Sequence, residues 1–219
     1  HERLRRPVAI KVLKPDLAAE HEYRVRFERE ARAAALLKST HAVRVFDVDV
    51  TEDGAMYLVM ELLAGRDLGK EAAQFGPLDS RDVVEWIAQS CEALAEAHAN
   101  GIVHRDIKPG NIFLADEKDG ERVAKVVDFG ISKFSEAVTS ALTNPLGGFL
   151  GTPHYMAPEQ LRGHRIDGRA DIWALGVTMY RVLGGRLPFD NTKGDGAYLA
   201  SVLSDTPFPF EQLRPDLPI

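Results

Sequence analysis

The run His104-Arg105-Asp106-Ile107-Lys108-Pro109-Gly110-Asn111 constrains this chain more than any other feature. It sets a carboxylate, an ammonium and an amide side by side in a loop that Pro109 and Gly110 keep out of regular structure. Upstream, residues 80–99 carry apolar side chains at helical period, with Val83, Ile87, Cys91, Leu94 and His98 as the expected inner stripe and Asn100-Gly101 as the stop. Downstream, residues 112–114 and 123–127 read as short strands, and Asp128-Phe129-Gly130 comes directly after them. A hairpin between Asn111 and Asp128 would return both polar groups to one end of the same ribbon.

Transfer of a phosphoryl group to a hydroxyl needs this set of groups. A carboxylate orients the hydroxyl and accepts its proton, an ammonium offsets charge on the moving group, and an amide oxygen beside a carboxylate binds Mg²⁺. The competing reading of residues 104–111 is a solvated loop between helix and strand. Asp-Phe-Gly alone is a weak signal, since such tripeptides recur by chance, and only its place after the hairpin gives it weight.

The N-terminal third reads as a small sheet with one helix. Residues 7–13 alternate as a strand carrying Lys11 and stop at Pro15; residues 16–38 favour a helix, with Asp16 as its cap. Strands are expected at 43–50 and 55–60 around the turn-forming residues 51–54. Residues 62–66 are a Gly-containing connector. The chain beyond residue 66 reads as mainly helical, with an irregular stretch over 131–155 that is too long for an ordinary connection. Residues 171–183 suggest a helix buried nearly all round.

Composition excludes some classes. A formal charge of -6 argues against general binding of nucleic acid, and no apolar run is long enough for a membrane helix. Cys91, the only cysteine, permits no internal disulfide and reads as a small core residue rather than a catalytic thiol.

Taken in order, Val8-Ala9-Ile10-Lys11, the loop 104–111, Asp128-Phe129-Gly130, Ala157-Pro158-Glu159 and Asp171-Ile172-Trp173-Ala174-Leu175-Gly176 resemble the motif set of eukaryotic-type (Hanks-type) protein serine/threonine kinases, with a bacterial-like flavour. The resemblance implies a two-lobed α+β protein kinase-like fold: a partial N-lobe over 1–61 with a small sheet and one helix, a hinge at 62–66, and a partial, mainly helical C-lobe over 67–219. It further implies an enzyme that moves the γ-phosphoryl group of ATP, with Mg²⁺, to Ser or Thr hydroxyls of proteins in signalling.

By that resemblance Asp106 is the base, Lys108 meets the γ-phosphate, Asn111 and Asp128 hold Mg²⁺, and Lys11 holds the ATP α and β phosphates with Glu30 as its partner. Glu28 competes with Glu30, and Lys11 by itself reads as an ordinary solvent-facing strand lysine. The adenine would lie between Ala9 and Phe113, beside Met60, on backbone groups of Glu61 and Leu63. His104, Glu159 and Asp171 would be structural anchors.

Lys108 and Thr152, within Gly151-Thr152-Pro153-His154-Tyr155-Met156-Ala157-Pro158-Glu159, resemble the serine/threonine rather than the tyrosine pattern. Arg105 is the expected partner of a phosphate on Thr139, Ser140 or Thr143. A protein substrate, a homodimer for trans-autophosphorylation, a cytoplasmic location, and no nucleic-acid or membrane contact from this segment are expected.

Two departures stand out: no Gly-rich phosphate loop precedes Val8, and no late helix supplies an arginine for Glu159. The sequence is therefore read as a fragment truncated at both ends that binds Mg-ATP weakly. A non-catalytic pseudokinase is the rival from another class, and it lacks its usual signature, because Lys11, Asp106 and Asp128 are all present. A small-molecule kinase of the aminoglycoside type would lack the Ala-Pro-Glu segment.

Overall fold

Alternating β-branched residues build β1 (Val8–Val12), which pairs antiparallel with β3 (Met56–Glu61), itself paired antiparallel with β2 (Val45–Val50). The computed structural model describes residues 6–13, 21–52, 54–117, 120–129 and 153–217. In β1 the apolar Ile10 and Val12 face outward, 61% and 56% exposed, whereas Ala9 and Lys11 lie on the half-buried face. The lysine-bearing face is thus the inner one.

Helix α1 (His21–Ala34) lies within the expected 16–38 span; Asp16 falls outside the described residues. Phe27, Ala31 and Ala34, spaced at one helical face, are buried at 3% exposure or less and join the main core with Leu58 of β3.

After β3 the chain forms β4 (Gly65–Asp67), which begins inside the expected connector 62–66, and α2 (Leu68–Phe75), a helix that the sequence reading does not place. Asp67 caps α2 by accepting the Lys70 N–H at 2.9 Å. Helix α3 (Ser80–Ala99) has the expected bounds, capped by Asp79, which accepts the Arg81 N–H at 2.8 Å. Its buried side is Val83, Trp86, Ser90, Ala93, Leu94 and Ala97. Cys91 is exposed, which corrects its assignment to the core, and Ile87 and His98 are half-buried. The inner stripe is turned toward small residues, which let neighbouring elements approach closely.

A short 3-10 turn (Pro109–Asn111) leads into the hairpin of β5 (Ile112–Asp116) and β6 (Arg122–Val126), and β4 pairs with β5 as the third strand. The two sheets are stitched where Val126 donates to His41 O at 2.7 Å and accepts from Val43 N at 2.9 Å. The end of β6 is thereby pinned beneath the small sheet.

Helices α4 (Pro158–Leu161), α5 (Arg169–Gly184), α6 (Asp195–Ser204) and α7 (Phe210–Leu213) complete the helical lobe. Helix α5 is buried along Ala170, Asp171, Ala174, Leu175, Val177, Thr178, Val182 and Leu183, yet Ile172 is 54% exposed, so it is not buried all round. The architecture is two-lobed α+β: a three-stranded sheet with one helix, and a mainly helical part.

Candidate active site

Among the described residues, two that are not glycine adopt the left-handed backbone region, Arg105 at φ 64° and Asp128 at φ 62°. Such positions cost free energy unless the surroundings over-determine them, and they concentrate at functional sites. For Arg105 the surroundings are Asp171 of α5, which is 1% exposed. Its Oδ1 accepts the Arg105 N–H at 2.7 Å, and its Oδ2 accepts the His104 N–H at 2.8 Å. A third donor, His98 Nε2, meets Oδ2 at 2.7 Å.

A buried carboxylate with three donors is satisfied, and it fixes the loop backbone from below. Sequence periodicity marks His98 only as a stripe residue; its place in the last turn of α3, shortly before His104, is the one available clue to this role. It reaches Asp171 because Gly168 carries no Cβ, an atom that would stand 2.6 Å from the His98 ring.

His104 is fully enclosed at 0% exposure. Burial holds its imidazole below the ordinary histidine range, so the neutral ring persists. The neutral ring uses both nitrogens: Nε2 donates to Val127 O at 2.9 Å, and Nδ1 accepts the Asp106 N–H at 3.3 Å. Phe129, 1% exposed, packs on it with ring centroids 5.0 Å apart. His104 therefore ties the loop of Asp106 to the strand end that presents Asp128.

Above this anchor, Oδ2 of Asp106 accepts from Lys108 Nζ at 2.9 Å and from Asn111 Nδ2 at 3.0 Å. Asn111 Nδ2 also donates to Asp106 O at 2.7 Å. With its nitrogen engaged on Asp106, the Asn111 amide has its oxygen left to act as a ligand. Across the cleft, Lys11 Nζ pairs with Asp128 Oδ1 at 2.8 Å. Five of the sequence-selected residues, Lys11, Asp106, Lys108, Asn111 and Asp128, thus converge.

An amide oxygen and one carboxylate are hard donors in the small number that Mg²⁺ takes from a protein when phosphates and water supply the rest. The residues present fit Mg²⁺.

The side chain of Glu30 lies outside the described residues. Its competitor Glu28 accepts from Arg32 Nη2 at 2.5 Å on the helix surface, and both are solvent-accessible. Along the connector, Ala9 is paired with Met60 in the β1–β3 register, and half-buried Phe113 sits on β5. The Glu61 side chain is spent on the Arg44 N–H at 2.8 Å and on Lys125 Nζ at 3.0 Å. Glu61 N–H is spent too, on Arg44 O at 2.9 Å, whereas Leu63 enters no backbone hydrogen bond among the described residues.

Thr139, Ser140, Thr143 and Thr152 all lie outside the described residues. Arg105 has a buried Nε with no hydrogen-bond partner among the described residues. Glu159, half-buried in α4, has no ion-pair partner among the described residues.

The family model described as a protein kinase domain matches residues 1–209. The serine/threonine-protein kinase Pkn1 of Myxococcus xanthus is 44% identical over 211 residues, covering 96% of this chain and 28% of that protein. The serine/threonine-protein kinase pkn3 of the same organism is 38% identical over 210 residues, covering 95% of this chain and 38% of the relative. This chain therefore spans well under half the length of these curated relatives. Among solved structures, the Mycobacterium tuberculosis PknI kinase domain superposes with a TM-score of 0.71 at 30% identity, covering 96% of this chain and 72% of that one. With the converged cleft and a match running through residues 1–209, this chain belongs to the protein kinase domain family.

Proposed function

We propose that the protein transfers the γ-phosphoryl group of ATP to Ser or Thr hydroxyls of other proteins. The observation that carries this reading is the double engagement of Asp106 Oδ2, with Lys108 Nζ at 2.9 Å and Asn111 Nδ2 at 3.0 Å. A carboxylate fixed in this way can accept a proton without swinging out of line.

The acceptor oxygen forms the new bond to the γ-phosphorus while its proton passes to the Asp106 carboxylate; the bond to the bridging oxygen breaks, and ADP leaves. Lys108 stands beside the transferred group and offsets its charge, and Lys11 orients the α and β phosphates from the sheet side. Bound Mg²⁺ supplies charge neutralisation on the phosphates, and Asn111 with Asp128 would hold it. Glu30 is the residue of α1 assigned to steady Lys11, an assignment favoured by the engagement of Glu28 with Arg32.

The boundaries accord with the same reading: residues 1–61 as the small lobe, 62–66 as the hinge, 67–219 as the helical lobe. The unengaged backbone of Leu63 supports it as the adenine contact, between Ala9 and Phe113 and beside Met60. The hinge role of Glu61 then rests on its carbonyl alone. Regulation through Arg105 is supported by its unpartnered Nε, which suits a phosphate on Thr139, Ser140 or Thr143, placed by a second copy of the kinase. Thr152 carries the serine/threonine pattern, and Glu159 is the structural anchor that closes the same segment. Among the described residues no helix is long and apolar enough to cross a membrane. A cytoplasmic location is the one that a reaction drawing on ATP requires.

The deciding experiment is Mg-ATP-dependent transfer to a generic Ser/Thr substrate by the protein in its natural full-length context, beside an Asp106→Asn control. Transfer abolished by the control supports the reading; bound nucleotide without transfer in either protein overturns it.

A further inference from the structure

Beside Lys108, on the side of the cleft away from the small sheet, a cavity of about 480 Å³ opens between α2, the loop 108–110 and the end of α5. Its walls are small: Gly69, Ala72 and Gly110 line it, and a Cβ added at Gly110 would meet nothing closer than Lys108 Cε at 4.0 Å. Such a floor admits an extended polypeptide backbone. The walls are also firm. Leu78 N–H donates to Val182 O at 3.0 Å, and Arg214 Nη1 reaches Leu78 O at 3.3 Å and Leu183 O at 3.2 Å, so α7 clamps the far edge.

The charge of the lining is one-sided. Its charged side chains are Lys108 and Arg181; Tyr155 lines it too, and among the described residues no carboxylate does. Lys108 is neutralised by Asp106 at 2.9 Å. Arg181 bonds the Gly185 carbonyl just past the end of its own helix, and among the described residues no carboxylate pairs with it. Asp79, the acid at the start of the neighbouring helix, caps α3 instead. An exposed guanidinium with donors to spare, at the rim of a peptide-wide cavity that begins beside the proposed base, is a recognition element for a carboxylate.

We propose that Arg181, at the rim of this cavity beside the proposed base, selects protein substrates that carry Asp or Glu next to the acceptor hydroxyl. The inference rests on the phosphoryl-transfer reading above and names the substrate class for the same site. Arg181 is a specificity residue and takes no part in the chemistry. Because it is exposed, its attraction is screened by salt, so the preference is strongest at low ionic strength.

The test uses the full-length protein and Ser/Thr peptides that differ only in carrying Glu, Ala or Lys at each position on either side of the acceptor. Binding is read by fluorescence anisotropy and transfer by kcat/KM. The expected result is a roughly tenfold preference for Glu over Ala at one or two positions, shrinking as salt is raised. In Arg181→Glu the order of the Glu and Lys peptides inverts, and in Arg181→Gln the three peptides become equal. Equal use of all peptides by the unaltered protein overturns the role of Arg181 and leaves phosphoryl transfer standing. Charge-selective binding that Arg181→Glu inverts, with no transfer to any peptide, overturns phosphoryl transfer and leaves the groove assignment standing.

Discussion

Asp171 Oδ1 accepts the backbone N–H of Arg105 at 2.7 Å, and Arg105 holds a left-handed φ of 64° only with that acceptor beneath it. The carboxylate belongs to the helix at the centre of the large lobe, and the strained peptide belongs to the loop that carries Asp106. Fold stability and site geometry therefore share one side chain.

Replacing Asp171 by Ala strips three donors of their buried acceptor, so a loss of about 3 kcal/mol in unfolding free energy is expected, together with loss of activity. Asp171→Asn keeps the shape and two acceptor lone pairs but puts an N–H where a donor must approach, so its cost falls between wild type and Ala. Gly168→Ala acts at one remove, because its Cβ would meet the His98 ring at 2.6 Å and displace one donor alone. Urea melts of the three variants should rank Ala most destabilised and Gly168→Ala least. Equal midpoints would remove Asp171 as the anchor.

The pH dependence of stability carries the mark of His104. Its folded value lies below the ordinary 6.5, because burial disfavours the charged ring. The unfolded chain then binds the proton more readily, so this contribution is complete above 6.5 and is lost as pH falls below it toward the folded value. Unfolding free energies measured between about pH 7.5 and about pH 5 should decline more steeply in the wild type than in a His104→Asn variant. Parallel slopes would place the titration elsewhere.

Much of the site is legible in the sequence, because its groups lie in short loops whose spacing is set by proline, glycine and strand ends. Asp106, Lys108 and Asn111 meet within one turn of chain, so no long-range packing is needed to bring them together. Lys11 and Asp128 need only the alternation of β1 and the end of β6. The features that sequence patterns miss are set by packing at a distance. The inner face of α3 uses Ser90, Ala93 and Ala97, which a search for large apolar residues passes over in favour of Ile87 and Cys91. Helix α2 is hidden because Gly69 lowers its propensity while its stability comes from burial of Leu68 and the Asp67 cap. The groove at Arg181 has no local signature, since its walls come from four separate stretches of chain.

Lys11 and Asp128 separate stability from function. Their side chains are 31% and 36% exposed, so the 2.8 Å pair should contribute no more than about 1 kcal/mol to folding. Lys11→Met should melt within a few degrees of wild type while kcat/KM for ATP falls by about a hundredfold or more, because the phosphates lose their preorganised cation. A variant that loses stability and activity together would make the pair structural.

Leu63 gives the sharpest test of where adenine sits. Its N–H and C=O have no backbone partners among the described residues, so a proline there removes a donor that the fold does not use. Leu63→Pro is expected to leave the unfolding midpoint nearly unchanged, since no backbone hydrogen bond of Leu63 is lost. Nucleotide affinity should fall about tenfold, the value of one hydrogen bond left unmade to a buried base. Isothermal titration with Mg-ATP and with Mg-triphosphate lacking the base separates the two contributions. The variant should lose affinity for the nucleotide and keep its affinity for the triphosphate. If both fall equally, the connector shapes the whole cleft and the adenine contact lies at another residue.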